Sequence, residues 1–143
     1  MTPVSTSRLA TTVAAAVSVV AMAKPEITIP DATPPADLVI DDLVVGNGQE
    51  ATAGHDVEVH YVGVAWSNGR QFDASWDRGD TFSFRLGAGQ VIEGWDRGVQ
   101  GMRVGGQRRL TLPPHFAYGS RGAGGVIGPD ETLVFVVDLV GVG

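Results

Sequence analysis

At 143 residues the chain has room for one domain with a core of its own. A formal net charge of −6 and a pI near 4.8 argue against a nucleic-acid binder, which needs a basic face. There is no cysteine, so disulfides, thiol nucleophiles and thiolate metal sites are excluded, and the 20 glycines point to many tight turns.

Residues 1–22 read as a leader. Residues 1–8 are polar with one positive charge, and the stretch that follows is small and apolar, ending Ala21-Met22-Ala23. That is the order of a secretory signal with an A-x-A site. It is shorter than the roughly 20 apolar residues a membrane-spanning helix needs. A second reading starts the chain at Met22. Residues 23–37 hold Pro25, Pro30, Pro34 and Pro35, which exclude an interior helix or central strand and predict an extended arm.

The domain spans residues 38–143. Residues 38–45 predict a strand closed by Gly46-Asn47-Gly48. Residues 57–63 alternate, with Val57, Val59 and Tyr61 on one face and Glu58 and His60 on the other. Asn68-Gly69 signals a hairpin, and its return strand carries Phe72 and Asp73. Residues 74–80 read as an irregular loop. Residues 81–86 alternate again, with Phe82, Phe84 and Leu86 inward. Gly87-Ala88-Gly89 then turns the chain into the one segment that reads as helix, residues 90–99, where Ile92, Trp95 and Val99 share a face. Gly94 inside it costs roughly 1 kcal/mol against Ala, which suggests that another group lies close. Residues 108–112 predict a strand stopped by Pro113-Pro114, residues 120–128 a glycine-rich loop, and residues 131–142 a long apolar last strand. One short helix among strands belongs against the concave face of a curved sheet.

Most chemical motifs are absent. The body past the arm has no lysine, so no P-loop exists, and neither G-x-G-x-x-G nor G-x-S-x-G is present. His55, His60 and His115 read as solvated rather than as a metal site. What stands out is an aromatic set, Tyr61, Phe72, Phe82, Trp95, Tyr118 and Phe135, with Asp73 beside Phe72. Such a set builds either a packed core or a concave apolar pocket with a few convergent polar groups.

Five ordered blocks carry a resemblance. Val59-His60-Tyr61-Val62-Gly63, Gly69-Arg70-Gln71-Phe72-Asp73-Ala74-Ser75, Val91-Ile92-Glu93-Gly94-Trp95-Asp96-Arg97-Gly98-Val99, Pro114-His115-Phe116-Ala117-Tyr118-Gly119 and Thr132-Leu133-Val134-Phe135-Val136-Val137-Asp138-Leu139 resemble the FKBP-type peptidyl-prolyl isomerases. The likeness covers nearly all of the domain. It implies an α+β fold in which an antiparallel sheet of about five strands wraps one short helix. It implies catalytic roles for Tyr61, Phe72, Asp73, Trp95, Tyr118 and Phe135. Trp95 would be the pocket floor, with Tyr61, Phe72, Phe82 and Phe135 as walls. Tyr118 would donate its hydroxyl to a substrate carbonyl, and Asp73 would be held by Arg78 and Tyr61. Arg78, Phe82, Val91, Ile92, Val126 and Ile127 are implied as substrate- or macrolide-binding positions, with the Ile92 N–H as a donor and Val126 and Ile127 in a loop over the pocket. The sequence departs from the family at Gln90, where Glu is common, at Ala123, at one extra residue near Trp66-Ser67-Asn68, and at Gly128 before Pro129.

The implied activity is cis–trans isomerisation of X–Pro bonds without cofactor or metal, on proline-containing polypeptides, with rapamycin- or tacrolimus-type macrolides as further ligands. The alternative is a module or chaperone that binds proline segments without turning them over. A monomer is expected, with no nucleic acid and no membrane as partners. The likeness extends to single-domain bacterial members beginning Lys-Pro-Glu-Ile, as residues 24–27 do, which implies a cytoplasmic protein; a secreted one follows if residues 1–23 are a cleaved signal.

Overall fold

The computed structural model describes residues 23–143, so the leader lies outside the described residues. Strand β2 (Asp56–Ala65) is the spine of the sheet. It pairs antiparallel along its length with β6 (Leu133–Val142), with His60 opposite Asp138 and Gly63 opposite Phe135. From β6 the sheet continues through β5 (Gln107–Leu112) to β1 (Val39–Val44). On the other edge of β2, β4 (Phe82–Arg85) pairs with its first part and β3 (Gln71–Ala74) with its last. The sheet thus has six strands where the resemblance implies about five, because β3 and β4 lie end to end and fill one strand position.

The gap between them is spanned by α1 (Ser75–Arg78), a helix in the stretch the sequence reads as irregular. Ser75 is fully buried, and its Oγ accepts the Tyr61 N–H at 2.7 Å. A side chain there replaces the missing strand partner, so the buried backbone of β2 stays satisfied.

The central helix α2 is shorter than predicted, Glu93–Gly98. Ile92 is its N-cap, with extended ψ of 150°, and Gly89 is left-handed, so residues 90–92 approach the helix rather than belong to it. Gly94 and Gly98 lie four apart on one face. A Cβ at Gly94 would overlap Leu112, and one at Gly98 would overlap Leu110, both fully buried on β5. The two glycines therefore let α2 sit directly on the sheet. Buried Arg108 of β5 fixes its other end, donating to the carbonyls of Gly98 at 2.7 Å and Gln100 at 2.9 Å while pairing with Asp42 of β1. A cation satisfies helix-terminal carbonyls and suits the negative end of the dipole.

The main core joins the concave face, with Val57, Val59, Tyr61, Leu110, Leu112, Phe135 and Val137, to Trp95, Val99 and Met102. A second cluster lies on the opposite face. Val62, Val64, Ala74 and Val134 are covered there by Trp66, Trp76 and the arm residues Ile27 and Ile29. The arm is held by Arg109, which donates to Thr28 O at 3.0 Å, and by a Lys24–Asp77 pair at 2.7 Å. His60 is not simply solvated: it is half-buried, stacks on Trp76 at 4.1 Å between centroids, and bonds Ser75 Oγ through Nδ1 at 2.8 Å.

Candidate active site

Trp95 is 4% exposed and forms the floor of a cavity of about 440 Å³ between α2 and the sheet. Aromatic rings stand steeply to its indole plane. Tyr61 stands 4.9 Å away at 80°, Phe135 5.3 Å at 86°, and Phe82 6.0 Å at 73°. Phe72 meets Phe135 at 5.5 Å and 90°. Edge-to-face contacts suit the ring quadrupoles and hold the walls upright. Gly63 makes the room for two of them, since a Cβ there would strike both Phe72 and Phe135. Residues 89–92 and Tyr118, which is 40% exposed, complete the lining as its rim.

One corner is polar. The Tyr61 hydroxyl donates to Asp73 Oδ2 at 2.5 Å and accepts from Arg78 Nη2 at 2.9 Å; Arg78 Nη1 donates to Asp73 Oδ1 at 2.5 Å. Burial opposes the Asp73 charge, but the Tyr61 and Arg78 hydrogen bonds outweigh it, and its pKa falls below the usual carboxylate value. Burial, then the hydrogen bond to Asp73, raises the Tyr61 pKa; burial, then the Asp73 charge, raises that of Tyr118. At neutral pH the corner is therefore a carboxylate, a guanidinium and two neutral phenols. Both Asp73 oxygens are engaged, and the lowered pKa makes the carboxylate a weak base.

The structure brings together Tyr61, Phe72, Asp73, Phe82, Val91, Ile92, Trp95, Tyr118 and Phe135 around this cavity. Arg78 stands behind it, on Asp73 and Tyr61. Val126 and Ile127 do not line it. Ile127 bridges back to Ala123 and is buried in the core at 6% exposed, which leaves Val126 at the turn, 67% exposed. Gly89 and Gln90 also line the rim; the sequence marks Gln90 as a departure from the family that bears on the rim and gives Gly89 no site role, although the Gly87-Ala88-Gly89 turn just ahead of Gln90 was the available signal. Among the described residues, no group of three or more His, Asp or Glu is placed to hold a metal, and no helix is long and apolar enough to cross a membrane.

A small aromatic-walled cavity with one fixed polar corner and no free nucleophile is built to hold an apolar ring, not to cut a bond. The comparisons agree. Residues 47–140 match the family model described as FKBP-type peptidyl-prolyl cis-trans isomerase. The chain is similar to an FK506-binding protein of Streptomyces anulatus, 62% identical over 120 residues that cover 83% of this chain and 97% of that one. It is also similar to a probable FK506-binding protein of Corynebacterium glutamicum, 51% identical over 119 residues, covering 83% and 98%. Among solved structures it superposes on the crystal structure of AtFKBP13 with a TM-score of 0.70 at 41% identity, over 77% of this chain and 96% of that one. The chain belongs to the FKBP-type peptidyl-prolyl cis-trans isomerases and shares their fold and their activity.

Proposed function

We propose that the cavity over Trp95 is where the X–Pro bond turns, and that it takes a prolyl ring preceded by an apolar residue. The supporting observation is the Trp95 floor ringed by Tyr61, Phe82 and Phe135, with the charges of Asp73 and Arg78 paired in one corner. Rotation about the bond meets a barrier of roughly 18–20 kcal/mol from amide resonance. Twisting breaks the resonance, so the carbonyl becomes ketone-like and the amide less polar. Water solvates the planar amide better than the twisted one, and an apolar cavity reverses that preference. Catalysis is then tighter binding of the twisted state than of the planar one. The Ile92 N–H and the Tyr118 hydroxyl, both in the lining, are the donors to the peptide carbonyls. Asp73, Tyr61 and Arg78 hold the wall in place and exchange no proton with substrate.

The same cavity takes macrolides of the FK506 and rapamycin type, as the names of the relatives suggest for those proteins. The protein works as a monomer in the cytoplasm, bound to neither nucleic acid nor membrane; sizing of the purified protein, fractionation and N-terminal sequencing of the native chain test this. For the site, the test is NMR exchange spectroscopy on a Leu-Pro peptide with wild type and Phe135→Ala. Fast exchange in wild type and a loss of tenfold or more in the folded variant are expected. Equal rates would place the reaction elsewhere.

A further inference from the structure

One carboxylate ties the rim of the cavity to its floor. Asp96 follows Trp95 on α2. Its Oδ1 accepts the Gly87 N–H at 2.9 Å and its Oδ2 the Gly89 N–H at 2.8 Å. Both glycines are left-handed, with φ of +80° and +73°. The chain enters this turn from an anchored point, since Leu86 is 1% exposed and donates its N–H to His55 O at 2.9 Å. It leaves the turn as Gln90, Val91 and Ile92, the rim itself. Gln90 Oε1 accepts the Arg85 N–H at 2.8 Å and closes the base of the same turn. The Asp96 carboxylate does not cap its own helix, whose N-cap residue Ile92 offers no side-chain cap. Its two acceptors face the turn instead.

We propose that Asp96 is a positioning residue for the isomerase: it sets the height of the rim over the Trp95 indole, and so the fit of the segment before proline. The inference rests on the cavity being the isomerase site. Asp suits the position because one short side chain must offer two oxygens to two N–H groups two residues apart, and an anion strengthens both bonds. Without it the turn samples other shapes and must be ordered each time substrate binds. Planar and twisted substrate meet the same rim, so the loss is one of uniform binding, which raises KM and spares kcat.

The test compares wild type with Asp96→Ala, Asp96→Asn and Asp96→Glu, by exchange kinetics on a Leu-Pro peptide and by amide hydrogen exchange without ligand. Asp96→Ala is expected to raise KM about five- to tenfold with kcat within about twofold. Asp96→Asn falls between, because it keeps one acceptor and turns an amide N–H₂ toward the other glycine. Asp96→Glu, which keeps both oxygens, recovers most of the loss. In Asp96→Ala the Gly87 and Gly89 amides lose protection while the Leu86 amide keeps its own. Wild-type KM in Asp96→Ala, or unchanged protection of both glycines, overturns the inference alone. Wild type without catalysis overturns the site assignment and this inference with it.

Discussion

The Tyr61 hydroxyl and the Asp73 carboxylate meet at 2.5 Å across the β2–β3 pair, and Arg78 bonds both. Tyr61 is thereby pinned in its T-shaped contact with the Trp95 floor. Asp73→Asn keeps the shape and removes the charge. The expected effect is a loss of about three- to tenfold in kcat/KM, the range for a charge-assisted hydrogen bond at a part-exposed site. The variant is also less stable at pH 7. Because the folded pKa of Asp73 lies below its unfolded value, this stabilisation is present above the ordinary carboxylate range and fades as pH falls through the folded pKa. Denaturant unfolding of both proteins at pH 7 and near pH 2 checks it: the gap should close in acid.

A second expectation concerns the rate. Asp73 titrates below the ordinary carboxylate value, and Tyr61 and Tyr118 above the ordinary phenol value of 10.0. Among the described residues that line the cavity, no group then changes charge between about pH 5.5 and 8.5. The profile of kcat/KM should be flat across that window. A bell-shaped profile would require general acid–base catalysis and contradict a purely conformational reaction.

Gly94 and Leu112 provide a packing test. Gly94→Ala drives a Cβ into the Leu112 side chain and should cost about 1–3 kcal/mol in spite of the gain in helix propensity. Leu112→Ala alone leaves a cavity and costs about 2–5 kcal/mol. Together they should cost less than their sum, since the Ala methyl enters the vacated space. Additive losses would mean that the helix simply moves away from the sheet.

Much of this was legible in the sequence, and the misses have physical causes. Strict alternation through Val57, Val59 and Tyr61 revealed the inward face of β2. The Ile92, Trp95, Val99 spacing found α2 but overran its start, because Ile92 lies on the apolar face while acting as the cap. No period exists in four residues, so α1 was invisible, and with it the buried role of Ser75. The prolines predicted an extended arm but not its docking. A signal was available: after Tyr61, β2 is apolar on both faces, and β6 is a nearly unbroken apolar run, the pattern of strands covered on both sides. The aromatic set stood out in the sequence as either core or pocket, and the family resemblance made its members walls. Phe72 on β3, Phe82 on β4 and Phe135 on β6 are far apart in the chain, and only the register joins them.

Asp138 provides a pH test of the opposite face. It is 5% exposed, its Oδ1 accepts from Gln107 at 3.0 Å, and its buried Oδ2 has no partner among the described residues. Burial pushes its pKa up to about 6, with Gln107 offsetting part of the rise. A carboxyl with a raised folded pKa binds its proton more tightly when folded, so it destabilises above that pKa and ceases to do so below the unfolded value. Wild type should lose about 2–3 kcal/mol relative to Asp138→Asn between about pH 4 and pH 7. A constant difference across that range would mean that Asp138 titrates as an ordinary surface acid.

The most direct measurement is tryptophan fluorescence during titration with FK506. The chain has three tryptophans, and only Trp95 lines the cavity; Trp66 and Trp76 lie in the cluster on the opposite face. Intrinsic emission should change saturably in wild type, Trp66→Phe and Trp76→Phe, in parallel with inhibition of the isomerase. In Trp95→Leu, which keeps an apolar floor, the emission response should vanish. A response that survives in Trp95→Leu and disappears with Trp66 or Trp76 would put the ligand on the wrong side of the sheet and contradict the assignment of the site.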